Sequence, residues 1–74
     1  MSRHTFSQCD GSVVAYGFDH VCGYFVQVYK PGEDEPMVDI DSLTCSNSEL
    51  YEFMEGEGVP SADLQCVAWD VPIP

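Results

Sequence analysis

Few residues in this chain have both the type and the spacing for chemistry. Asp19, His20 and Cys22 lie within four positions and supply an acid, a base and a thiol, the parts of a nucleophilic site. Catalytic groups of that kind are brought together by a fold, and a single loop carrying all three reads as a loop, so no catalytic residue is expected. His4, Cys9, His20 and Cys22 offer the nitrogen and sulfur ligands that zinc takes, but no Cys-x-x-Cys or His-x3-His pair occurs and no metal site is expected. Calcium prefers clustered carboxylates, and Glu33-Asp34-Glu35 with Asp39 and Asp41 provide them. No segment follows the D-x-D-x-D-G loop with a glutamate at its twelfth position. The six glycines form no phosphate-cradling motif. No cofactor is expected, and the chain reads as a binding protein, not an enzyme.

Charge carries the strongest signal. Thirteen acids against one Arg and one Lys give a net charge of −11. Residues 1–30 hold Arg3, Lys30, Asp10 and Asp19 and are neutral overall, whereas residues 31–74 hold eleven acids and no base. Solubility alone is served by a charge magnitude of about 2 to 8 with the signs mixed, and self-repulsion opposes folding. A one-signed field of this size points to a basic partner. Duplex DNA presents one phosphate per about 3.4 Å on each strand, and basic proteins gain affinity by neutralising those charges. Carboxylates at similar intervals occupy the same groove. The candidate set is Glu33, Asp34 and Glu35 in one turn, Asp39 and Asp41 roughly 6.6 Å apart on one side of a strand, and Glu49, Glu52 and Glu55 along one helix edge.

The elements that must position these groups are legible in part. Seventy-four residues make one domain, 1–74, and a hydrophobic content of 45 % is enough for it to fold. Ser12 to Tyr16 reads as a strand closed by Gly17, with Phe18 to Gly23 as a connection. Tyr24 to Tyr29 is rich in aromatic and β-branched residues on both faces, as a central strand would be. Lys30 to Pro36 is a turn, and Met37 to Asp41 alternates as a third strand with Val38 and Ile40 facing inward. Ser46-Asn47-Ser48-Glu49 is a capping box. Leu50, Phe53 and Met54 continue it as a buried helical stripe, and Gly56 with Gly58 ends the helix. Beyond Pro60 the pattern is open. Ser61 can cap a short turn over residues 61 to 65, and Val67, Trp69, Val71 and Ile73 alternate as a strand would. The expectation is a helical turn and then an extended stretch with Trp69 buried. The fold class is α+β: a small antiparallel sheet of three or four strands covered by one or two helices.

No apolar run of signal-peptide length opens the chain and none is long enough to span a membrane, so a cytoplasmic location with free Cys9, Cys22, Cys45 and Cys66 is expected. The small size, the acids spread from Glu33 to Asp70 and the aromatic segment Tyr24 to Tyr29 together resemble the small DNA-mimic inhibitors of phages and mobile elements, anti-CRISPR proteins in particular. The resemblance is one of character, carried by no motif. It implies a monomeric, stoichiometric inhibitor of a bacterial defence complex. Such an inhibitor occupies a basic nucleic-acid-binding site, for example the DNA channel of a CRISPR effector complex, and binds neither nucleic acid nor membrane itself. The alternative is a small soluble protein-interaction module whose charge serves only solubility.

Overall fold

The alternation of β2 sets the architecture. In the computed structural model, which describes residues 1–74, β2 spans Val13–Asp19 and sends Val14, Tyr16 and Phe18 to one face. β1 (Ser2–Ser7), β3 (Gly23–Tyr29) and β4 (Val38–Asp41) complete an antiparallel sheet in the order β1-β2-β3-β4. The register pairs Tyr16 with His4 and Val26, and Val26 in turn with Ile40. Residues directly opposite share a face, so Phe6, Val14, Tyr16, Tyr24, Val26, Val28, Val38 and Ile40 form one apolar surface. Two helices, α1 (Asn47–Glu57) and α2 (Ser61–Ala68), cover it through Leu50, Met54, Leu64 and Val67. The class is α+β, as the residue pattern indicates.

α1 begins as its sequence requires. The Ser46 hydroxyl accepts the Glu49 amide at 3.2 Å and the Glu49 carboxylate accepts the Ser46 amide at 3.0 Å, closing the capping box. The helix runs through Gly56 and stops at Gly58, whose φ of 94° is the left-handed conformation that favours glycine.

One strand is unsignalled in the sequence, and three expectations need correction. The segment Ser2–Ser7, with little β-forming character beyond Thr5 and Phe6, is nevertheless a strand, held by pairing with β2. β2 continues past Gly17 to Asp19, which shortens the following connection to residues 20–22. Ser61 does not cap α2; Pro60 holds the N-cap position and offers no side-chain bond. The helix then continues to Ala68 instead of giving way to a strand, and Trp69 at its end is 75 % exposed, not buried. Beyond the helix, Ile73 turns back into the core. Its carbonyl accepts the Ser2 hydroxyl at 2.6 Å, and the Pro74 carbonyl lies 2.6 Å from the His4 ring.

Two phenols join the layers. The Tyr16 hydroxyl donates to the Asp63 carboxylate in the first turn of α2. The Tyr24 hydroxyl is shared between the Val71 carbonyl at 2.5 Å and the Cys66 carbonyl at 3.1 Å. Burial, then the bonded Asp63 carboxylate, pushes the Tyr16 pKa well above its ordinary value. Burial, then the charge of Asp70, raises that of Tyr24. Both groups favour the folded state while neutral, so their stabilisation is complete below about pH 10 and is lost as the pH rises through the higher folded values. A spectrophotometric titration should therefore show two tyrosines ionising late, together with unfolding. Tyr16→Phe should remove about 1.5 to 3 kcal/mol, because Asp63 is left without its donor.

Gly17 has a different constraint. A β-carbon there would stand 2.2 Å from the Ser2 carbonyl oxygen and 3.1 Å from the Phe25 ring. The close approach of β1 therefore excludes any side chain at this position. Gly17→Ala should lower stability by about 2 to 4 kcal/mol in chemical denaturation, a loss expected of steric conflict with backbone.

Candidate acidic interface

The sheet divides the eight acidic candidates. Asp39 and Asp41 alternate with Val38 and Ile40, which places them on the uncovered face. Glu49, Glu52 and Glu55 lie on the solvent side of α1, in the layer on the other face. Glu33, Asp34 and Glu35 are exposed in the turn that links β3 to β4. The acids therefore wrap around the β4 edge and do not line one flat band.

They also differ in what holds them. Asp39 accepts the Gln27 amide at 3.3 Å, and the Gln27 carbonyl accepts Arg3 at 3.0 Å and Tyr29 at 3.2 Å. That relay crosses the open face from β1 to β4. Asp41 is half-buried and its carboxylate accepts the Leu43 amide at 2.9 Å, which fixes the turn into α1. Glu49 is bound within the capping box. Glu33, Asp34, Glu35, Glu52 and Glu55 are exposed and project their charge to solvent. All five acids outside the candidate set have partners in the protein: Asp10 accepts the Ser12 amide at 2.9 Å, Asp19 accepts the amides of the turn that follows it, Glu57 accepts Gln8 at 2.6 Å, Asp63 accepts Tyr16, and Asp70 accepts Asn47 at 3.1 Å. Arg3, the lone arginine, stands 5.9 Å from the centre of the Phe25 ring on the open face.

Of the residues with catalytic or metal-binding types, Asp19, His4 and His20 make local contacts and Cys9 is exposed. The Asp19 carboxylate accepts the amides of Val21 at 2.7 Å and Cys22 at 3.4 Å. Desolvation, then the charges of Asp41, Asp19 and Asp39, raises the Cys22 thiol pKa, opposite to the shift that activates a nucleophile. His20 stacks edge-on against Phe18, and His4 packs on Tyr16 beside the chain terminus. No three His, Cys, Asp or Glu side chains are grouped so as to hold a metal ion.

α1 and α2 flank an open groove of about 310 Å³ lined by Asn47, Ser48, Tyr51, Glu52, Val67 and Ala68. Sequence reasoning passes over it because two helices must pack before it exists. One signal was available: in helical register Trp69 lies about 140° around the axis from Leu64, off the buried stripe. Compared with known proteins, the chain matches no family model, no curated protein and no solved structure.

The capping box gives a pH test of the site's scaffold. Bonds from Ser46 hold the Glu49 carboxyl below its ordinary value of 4.5. Its stabilisation is thus present above about pH 4.5 and fades as the pH falls through the lower folded value. Ser46→Ala should return the NMR-detected Glu49 titration toward 4.5 and lower stability by about 1 kcal/mol.

Proposed function

We propose that this protein is a non-enzymatic inhibitor that presents carboxylates to a basic nucleic-acid-binding site of a bacterial defence complex, in the manner of the anti-CRISPR DNA mimics it resembles. One observation carries the reading: eleven acids and no base follow Lys30, eight of those acids are exposed, and of these Asp39, Glu49 and Asp70 are hydrogen-bonded within the protein whereas Glu33, Asp34, Glu35, Glu52 and Glu55 project freely. Their placement around the β4 edge suits a groove or channel whose walls meet both sides of the protein, more than a flat surface. Asp39 lies beside this set, whereas Asp41 and Glu49 add charge while holding the turn and the helix start.

That division selects the variants. Glu33→Gln with Glu35→Gln, and Glu52→Gln with Glu55→Gln, each remove two charges at exposed positions without disturbing a cap. Thr5→Lys with Gln65→Lys changes the net charge by the same amount from sites outside the set, both exposed. The wild-type chain should be retained by a CRISPR effector complex, compete with its DNA target, and lose affinity steeply from about 50 to 300 mM salt as screening shortens. Each acidic double variant should bind about 2- to 30-fold more weakly, at about 0.2 to 1 kcal/mol per exposed contact, and the lysine control should bind more tightly than either. Equal losses in all three, or affinity insensitive to salt, would instead favour an interaction module whose charge serves solubility.

A further inference from the structure

We propose that the groove between α1 and α2 receives an arginine side chain from the partner's basic surface, an inference that rests on the inhibitor reading above. At about 310 Å³ the groove lies at the lower end of the range for small-ligand sites. That size admits one long side chain, and the Glu52 carboxylate on a domain of charge −11 disfavours the phosphates of a nucleotide. Tyr51 and Ala68 give it apolar walls over the buried Val67, and Glu52 places a carboxylate beside them. Trp69 follows Ala68 directly and is the bulkiest apolar side chain left in water. The next residue, Asp70, adopts a left-handed φ of 56°, a conformation L-residues enter at a penalty, and its carboxylate is bound by Asn47 from the groove lining. Trp69 is thus exposed and stands in the chain between Ala68 of the lining and Asp70, which is tied to Asn47 of the lining, so its backbone borders a part-apolar groove that carries a carboxylate.

Complementarity names the occupant. No base follows Lys30 in the sequence, and Arg3 is engaged by Gln27 and Phe25 on the opposite face of the sheet, so the groove's charge is unanswered within the protein. Arginine has an apolar stem to lie along Tyr51 and Ala68, and a planar cation that stacks on an aromatic ring and pairs with a carboxylate through two hydrogen bonds. Lysine offers the same charge as a compact, strongly hydrated point without the planar fork. Exposed tryptophan is also the residue type that most often anchors interfaces.

The test uses a dye-labelled octa-arginine peptide, followed by anisotropy at about 150 mM salt, with Trp69 emission as a second signal from the lone tryptophan. Octa-arginine should bind and quench Trp69 saturably. Glu52→Gln and Trp69→Leu should each weaken binding about tenfold, with circular dichroism unchanged. Octalysine should bind more weakly and quench less. Glu33→Gln with Glu35→Gln should reduce affinity through overall charge yet leave the saturating quench intact. Octa-arginine binding with unmoved Trp69 emission, or wild-type affinity in both groove variants, would overturn the groove while leaving the charge-based reading in place. Equal responses to octalysine would overturn the arginine assignment. Trp69 emission that shifts with protein concentration alone would assign the groove to a second copy and overturn it as well. Failure of octa-arginine to bind also overturns the inference, and the inhibitor reading is then decided separately by competition with DNA.

Discussion

The position of α2 depends on where two phenol hydroxyls can find acceptors. Strand alternation drives the rings of Tyr16 and Tyr24 into the covered face, and a buried hydroxyl without a partner is penalised by its lost hydration. Tyr16 meets that need at the start of α2 through Asp63, and Tyr24 meets it at the helix end and just beyond, through Cys66 and Val71. The helix is thereby anchored at both ends to adjacent strands of the sheet. Its placement brings Val67 and Ala68 opposite Tyr51 and Glu52 and directs the terminal residues back toward Ser2 and His4. No buried side-chain nitrogen or oxygen is left without a partner, so the layer contact is polar at its edges and apolar within.

The acids divide into two populations by what they bind. Asp10, Asp19, Asp41, Glu49 and Asp63 accept backbone amides or a phenol and stabilise turns, a helix start and the layer contact. Glu52 and Glu55 of α1 and Glu33, Asp34 and Glu35 of the β3–β4 turn make no such contribution and raise the self-repulsion of a domain that already carries −11. A charge that opposes folding and supports no local structure is the physical basis of the proposed partner role.

Local signals in the sequence were followed closely by the structure. Ser46 and Glu49 specify the start of α1 by spacing alone, Leu50 and Met54 specify its buried side, and the alternation of Val38 to Asp41 specifies which face of β4 meets water. Features that arise only from tertiary pairing were not legible. β1 has one apolar residue on its covered side, Phe6, and becomes a strand because β2 offers it a register and the terminal residues bond its side chains. At the C-terminal end two periods compete: Val67, Trp69, Val71 and Ile73 alternate, while Leu64 and Val67 are spaced for a helix. Helical packing against α1 prevails as far as Ala68, and Trp69 goes to solvent as a result. The acidic candidates were identifiable by type, but their distribution over two faces follows from β4 being the outermost strand, which no local pattern states.

That outermost position has a further effect. β4 is four residues long and its unpaired side is open to strand addition. A second copy docking there antiparallel about Ile40 would set Asp39 of each copy against Asp41 of the other, and like charges directly across a strand pair repel. Pro36 lies just before the strand and lacks the amide a longer pairing would use. The carboxylates of β4 therefore act as gatekeepers against edge-to-edge aggregation, a protection that does not depend on which partner the protein meets.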